Sequence, residues 1–144
     1  MSILLGHYPL TLTQDGDKLL VTCALLPEVT SWGETRDSAI ANGRSAVLEA
    51  LAARIDARQP VPMERTTTTL SESIAPIPNG VVAKLNLHRA MLESGIGRAE
   101  LRRLMRATTR ITVDDLLKLD HESTTAQLEA AFVAMGRDRI RANP

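Results

Sequence analysis

The chain has 144 residues, of which 44% are hydrophobic and 24% are charged, and its formal net charge is zero. This composition excludes a disordered protein and leaves room for one ordinary domain or two small ones. Three aromatic residues, Tyr8, Trp32 and Phe132, are too few for the base-stacking sheets that bind RNA. One cysteine and no visible signal peptide or membrane span lead us to expect a cytoplasmic protein.

Charge divides the chain into two parts. Residues 1–78 carry nine acidic and six basic residues, whereas residues 79–144 carry eleven basic and eight acidic residues. A contrast of this kind indicates two modules with different partners. We therefore predict one domain over 1–78 and a second over 79–144.

The first half predicts a small sheet followed by one helix. The Asp15–Gly16 pair lies between two apolar runs, which is typical of a β-hairpin. Thr35 is a candidate helix N-cap, and apolar residues recur at helical spacing from there to about residue 57. Pro76 cannot donate to a ladder and places the last strand at the sheet edge. The predicted strands are 8–13, 19–26, a short one within 27–35, and 70–77.

The second half predicts four short helices. The first runs from about residue 82 to the helix-stop residue Gly95, and the next two cover 98–105 and 109–118. The fourth begins at the capping-box pair Thr124 and Gln127 and ends at Gly136, before a frayed tail. Its predicted apolar face consists of Leu128, Ala131, Phe132 and Met135.

No catalytic constellation is visible in the sequence. His7, His88 and His121 are far apart and lack partners at metal-ligand spacing. Cys23 lies within an apolar strand and is predicted to be a small buried hydrophobe. The glycines form no phosphate-binding loop. We expect no catalytic residue, no metal and no cofactor, and hence a protein that is not an enzyme.

A cluster of arginines precedes and enters the third predicted helix. It consists of five arginines, at 98, 102, 103, 106 and 110, accompanied by a single acid, Glu100. A solvated helix face would explain the cluster, but two short helices joined by about three residues also fit a helix-turn-helix unit that binds DNA. Asp114 and Asp115 would then lie where the reading helix leaves the groove. The predicted DNA contacts are Arg102, Arg103, Arg106, Thr108, Thr109, Arg110 and Thr112.

Two stretches resemble the HicB family of antitoxins. In the first half, "YPLTLTQDGDKLLVTCALLPEVTSWGETRDSAIANGRSAVLEAL" (8–51) follows the family's order of strand, acidic turn, strand and amphipathic helix. In the second half, "KLNLHRAMLESGIGRAELRRLM" and "VDDLLKLDHESTTAQLEAAFVAMG" resemble the helix-turn-helix tail of one branch. The turn "RATTR" departs from the family pattern because it lacks the usual glycine.

The resemblance implies an α+β protein. Its N-terminal domain would be a partial RNase H-like sheet with a helix that binds the toxin HicA, a ribonuclease that cleaves mRNA. Its C-terminal domain would be an all-α helix-turn-helix domain that binds operator DNA and represses the operon. Family members form homodimers or homotetramers, so the resemblance also implies self-association.

Three residues are candidate toxin contacts: Glu28, Trp32 and Glu34, near the end of the strand region. Trp32 has an alternative place in the core, since aromatic residues are more often core than interface. Two other functions stay open at this point: a small nuclease that uses the sheet domain, and a helix-turn-helix regulator that senses a small ligand. The sequence leaves the operator, the identity of the toxin and the choice between dimer and tetramer undetermined.

Overall fold

The computed structural model describes residues 7–62, 73–106 and 112–142. Its contacts group the chain into two compact units, Met1–Val82 and Ala83–Pro144, so that the division falls inside one helix. The predicted α+β class is confirmed. The elements are β1 (His7–Asp15), β2 (Lys18–Cys23), β3 (Leu26–Gly33), α1 (Arg36–Asp56), β4 (Ser73–Pro76), α2 (Asn79–Ser94), α3 (Arg98–Met105), α4 (Val113–Leu117) and α5 (Thr125–Ala142).

The first unit contains a four-stranded antiparallel sheet with the order β3-β2-β1-β4. The predicted hairpin joins β1 and β2: Asp15 pairs with Lys18, and Gly16 takes a φ of 64° that favours glycine. β4 pairs with β1 at one edge of the sheet, as its proline predicted. β2 ends at Cys23, three residues earlier than predicted, because Leu26 already belongs to β3.

Helix α1 begins at the predicted cap and packs on one face of the sheet. Thr35 accepts a 3.1 Å hydrogen bond from the Ser38 amide, and Ser38 Oγ accepts one of 3.0 Å from the Thr35 amide. Gly33 and Gly43 let helix and sheet approach closely: a Cβ on Gly43 would lie 2.6 Å from Val21 Cγ1. The core between them includes Tyr8, Leu10, Val21, Cys23, Val29, Val47, Leu51 and Ile55.

Cys23 is buried in this core, as predicted, and burial raises the pKa of its thiol. A thiol held in its neutral form is a poor nucleophile and behaves as a small apolar side chain.

In its described part, the second unit consists of helices and the segments that connect them. α2 ends before Gly95, which has a φ of 69°, the left-handed backbone conformation that commonly ends a helix. α3 has the predicted bounds. α5 begins with the predicted capping box: Gln127 Oε1 accepts a 2.8 Å hydrogen bond from the Thr124 amide, and Thr124 Oγ1 accepts one of 3.1 Å in return. α5 packs against α3. No helix in the described ranges is long and apolar enough to cross a membrane.

Two helix boundaries differ from the prediction. The predicted helix 109–118 is wrong at its start, because Thr112 has an extended backbone and caps a helix that begins at Val113. Threonine favours this position since its hydroxyl accepts the Asp115 amide at 3.2 Å. The predicted end of the last helix at Gly136 is also wrong, because α5 continues to Ala142.

Phe132 does not belong to the buried face of α5, contrary to the prediction. Ala131 is fully buried, with Leu128 and Met135 beside it, whereas Phe132 is 37% exposed. Each residue turns a helix by about 100°, so a buried face centred on Ala131 leaves Phe132 at its margin.

Candidate functional site

Trp32, a predicted toxin contact, lies on the surface. It is 43% exposed, so its alternative place in the core is wrong. Its carbonyl accepts a 2.7 Å hydrogen bond from Asn42 Nδ2, which ties the end of β3 to α1. This hydrogen bond holds the backbone of Trp32 in place, which lowers the entropy cost of using the indole as a contact residue.

Trp32 lies on the sheet face opposite α1. Side chains alternate between the two faces of a strand, and Val21 points towards α1, next to Gly43. Directly paired residues share a face, which places Trp32 beside Leu20 and Leu20 beside Thr13. A second row on this face joins Thr11, Thr22 and Thr30. This sheet face presents Trp32 and Leu20 next to a row of threonines.

Glu34 lies close to Trp32. Both line a shallow depression between the end of β3 and the start of α1, together with Lys18, Ser38 and Asn42. Glu34 is exposed. The structure thus brings together two of the three predicted toxin contacts, an aromatic ring and a carboxylate.

Glu28 does not line that depression and has a partner within the chain. Arg54 of α1 donates to its carboxylate twice, from Nε at 2.7 Å and from Nη2 at 2.9 Å. Arg54 also donates to the Pro60 carbonyl at 3.2 Å. The hydrogen bonds from Arg54 lower the pKa of Glu28. No local pattern predicts this pair, because 26 positions separate its members.

The arginine cluster of α3 meets an acid from α4. Asp114 Oδ1 lies 2.8 Å from Arg98 Nη1 and 3.6 Å from Arg102 Nη2, so these arginines share one side of α3. The hydrogen bond from Arg98 lowers the pKa of Asp114. Asp114 therefore lies beside the arginines of α3. It offsets part of their charge.

The other predicted DNA contacts differ in their surroundings. Arg103 pairs with Glu100 at 2.7 Å and stays 74% exposed at its side chain. Arg106 follows α3 with a φ of 54° and is exposed. Thr112 is the α4 N-cap. Thr108, Thr109 and Arg110 lie outside the described residues, so their predicted contacts stay predictions.

Lys84 of α2 is a residue that sequence reasoning missed. It is 2% exposed, and its Nζ donates to the backbone carbonyls of Asp115 at 2.8 Å, Lys118 at 2.7 Å and His121. Burial lowers the pKa of this ammonium. Lys84 lies three residues after Val81 and next to Leu85, so it falls within the apolar stripe of α2. This position could have predicted that the lysine is buried.

The described residues contain no group of three or more His, Cys, Asp or Glu side chains placed to hold a metal ion. His88 is buried in α2 and His121 is exposed.

A family model for the HicB-like antitoxin of bacterial toxin–antitoxin systems matches residues 7–85, more than half of the chain. The chain belongs to this family. The matched segment contains the whole described sheet, α1 and the start of α2, including the buried Lys84.

Full-length relatives extend the similarity beyond that segment. The chain is 29% identical over 131 residues to "Antitoxin HicB" of Pseudomonas fluorescens strain Pf0-1, covering 91% of this chain and 89% of that protein. It is 27% identical over 131 residues to "Antitoxin HicB 2" of Photorhabdus laumondii subsp. laumondii, covering 91% of each. Coverage of this extent includes helices of the second unit. The predicted resemblance to the HicB family is confirmed, whereas the helix-turn-helix tail stays a prediction.

Proposed function

We propose that this protein is an antitoxin that neutralises a HicA-type mRNA-cleaving ribonuclease and represses its own operon by binding operator DNA. The similarity over 91% of the chain to proteins named as HicB antitoxins is the observation that carries the proposal. An antitoxin of a toxin–antitoxin system has a toxin as its partner.

The toxin is assigned to the first unit, at the surface around Trp32 and Glu34. Residues 1–78 have three more acidic than basic residues, and a ribonuclease that binds RNA is expected to be basic. Opposite charges speed the encounter of such partners and disfavour wrong ones. An exposed tryptophan on a rigid strand supplies the apolar anchor that interfaces commonly centre on.

Glu28 has a supporting part in this assignment. Its bidentate pair with Arg54 holds the middle of β3 against α1, while its side chain stays 42% exposed. It can accept a further hydrogen bond from a cationic toxin residue without leaving Arg54, because a carboxylate has about four lone-pair directions.

Operator DNA is assigned to the second unit. Arg102, Arg103 and Arg106 are exposed at the surface of α3 and just after it. Arginines on such a surface neutralise phosphates, and those that reach base edges read guanine. Asp114 lowers the net charge that Arg98 and Arg102 present, so contacts with DNA have to compete with this ion pair. A palindromic operator would be bound by two copies of the chain.

The proposal is tested with the purified chain and the small protein encoded beside its gene. We expect the two proteins to form a complex, RNA cleavage by the neighbour to stop, and DNA from the operon's own promoter to be retarded in a gel. Promoter binding without inhibition of cleavage would instead support a ligand-responsive regulator. Metal-dependent cleavage of RNA by the chain alone would support a nuclease.

A further inference from the structure

The depression beside Trp32 is lined by groups that accept hydrogen bonds. It has a volume of about 320 Å³ and is shallow, so it suits one protruding side chain better than an enclosed cofactor. Asn42 uses its Nδ2 on the Trp32 carbonyl, which leaves its Oδ1 as an acceptor. In the described ranges, the Glu34 carboxylate has no hydrogen bond or ion pair. An exposed indole, a carboxylate and an amide oxygen together favour a cation.

The groups that could attract an anion to this depression are engaged or movable. Ser38 Oγ donates to the Thr35 carbonyl at 3.1 Å and accepts from the Thr35 amide at 3.0 Å, so its hydroxyl belongs to the cap of α1. Lys18 brings a positive charge to the lining, and it is exposed. Its long flexible stem lets the ammonium turn into solvent when a cation enters. The lining therefore favours a cationic donor over an anion.

Among cationic side chains, arginine fits these groups best. Its guanidinium is planar, so its face can stack on the indole of Trp32 while N–H groups at its edge donate to Glu34 and to Asn42 Oδ1. A lysine ammonium is a compact and strongly hydrated charge, so it loses more favourable hydration on entering. Residues 1–78 also carry three more acidic than basic residues, which attracts a basic partner to this unit from a distance.

We propose that this depression binds one arginine side chain of a basic protein partner, with the guanidinium stacked on Trp32 and donating to Glu34 and to Asn42 Oδ1. This binding mode rests on the proposed antitoxin function and deepens it, because it names the kind of toxin residue that the surface receives. The first test uses peptides in place of the toxin, so the depression can fail while the antitoxin function stands.

The first test follows the fluorescence of Trp32, the only tryptophan of the chain, while the full chain is titrated with hexaarginine, hexalysine or inorganic phosphate. We expect a saturable change with hexaarginine, at an affinity about 3- to 10-fold higher than that for hexalysine. Phosphate should leave the emission unchanged. Equal affinities for the two peptides would show attraction by net charge alone, and a response to phosphate would show an anion site. Either result would overturn the proposal.

Charge variants in the same titration give the sign of the occupant. Glu34→Gln should weaken hexaarginine binding several-fold, whereas Lys18→Gln should strengthen it, because a like charge beside the guanidinium is removed. Glu49→Gln is the matched control: it makes the same change of net charge at an exposed position of α1 and should have a smaller effect. Circular dichroism verifies that each variant is folded. An equal loss in Glu34→Gln and Glu49→Gln, or effects of the opposite sign, would contradict the proposal.

The second test is a double-variant cycle with the small protein encoded beside the gene. If one guanidinium contacts both side chains, the losses of affinity in Trp32→Leu and Glu34→Gln should not add in the double variant. Leucine keeps an apolar side chain but lacks the π face. Additive losses, or none, would overturn the arginine site and leave the antitoxin function intact. If the parent chain fails to bind that protein, the antitoxin function is wrong, and the peptide titration decides on the depression by itself.

Discussion

The Nζ of Lys84 in α2 donates a 2.7 Å hydrogen bond to the carbonyl of Lys118, the residue that follows α4. The same ammonium donates to the carbonyls of Asp115 and His121. A five-residue helix is too short to be stable alone, and its last carbonyls lack partners within the helix. One buried ammonium with three protons can donate to all three carbonyls, at the end of α4 and in the segment that follows it. Lys84 therefore holds α4, and with it Asp114, in place beside the arginines of α3.

Replacing Lys84 by methionine should lower the free energy of unfolding by about 2–4 kcal/mol, because the carbonyls of Asp115, Lys118 and His121 lose a buried, charged donor. The measurement is urea denaturation, together with hydrogen exchange of the α4 amides, which should become faster. Lys118→Met is the matched control: it removes an exposed lysine side chain from the same region and should change stability by less than about 0.5 kcal/mol. Equal stabilities of the two variants would disprove the role assigned to Lys84.

The Glu28–Arg54 pair should make stability depend on pH. Arg54 lowers the pKa of Glu28 in the folded state, so the pair contributes fully above the ordinary glutamate pKa of 4.5. Its contribution disappears as the pH falls through the lowered folded pKa. Glu28→Gln should therefore cost about 1 kcal/mol near neutral pH, a value already reduced for solvent screening. The cost should vanish in acid. Glu49→Gln, an exposed change on α1, serves as control, and a cost for Glu28→Gln that stays constant with pH would contradict this account.

Replacing Trp32 by alanine should weaken toxin binding about 10- to 100-fold while leaving the protein folded, since the ring is exposed before binding. Isothermal titration with the toxin measures this. Phe132→Ala removes an aromatic ring of similar exposure from α5 and should leave toxin affinity unchanged. If both variants bind the toxin as tightly as the parent chain does, the toxin surface lies elsewhere.

Removing the acid beside the arginines should strengthen DNA binding. In Asp114→Asn, Arg98 and Arg102 keep their charges but lose the carboxylate, so we expect a several-fold gain in affinity and a steeper salt dependence. Arg102→Ala should act in the opposite direction. Glu122→Gln removes an exposed acid from the same unit. An equal gain in affinity in this control would show that the effect comes from net charge and not from loss of the ion pair. Filter binding over a range of salt concentrations distinguishes these outcomes.

Local patterns predicted most elements of the fold. The Asp15–Gly16 turn, the Thr35 cap and the Thr124–Gln127 capping box are each encoded within a few residues, and each was confirmed. The prediction failed where contacts between residues distant in sequence decide which side chains are buried and where a helix begins. The buried face of α5 is centred on Ala131, so Phe132 lies at the surface. The hydroxyl of Thr112 caps α4, so this helix begins later than the spacing of apolar residues predicted.

The candidate site was predictable only in part. Trp32 and Glu34 are close in sequence and come together in one depression. Arg54 and Lys84 were missed because their partners are 26 and 31 or more positions away. The opposition of Asp114 to the arginines depends on how α4 packs on α3, which no local pattern specifies.

The most direct test of the proposed antitoxin role is a titration of the full chain into an RNA-cleavage reaction run by the small basic protein encoded beside its gene. We predict that cleavage falls linearly with added protein and stops at a fixed molar ratio, and that Trp32→Ala needs a higher concentration for the same inhibition. Undiminished cleavage in a large excess of folded protein would contradict the account.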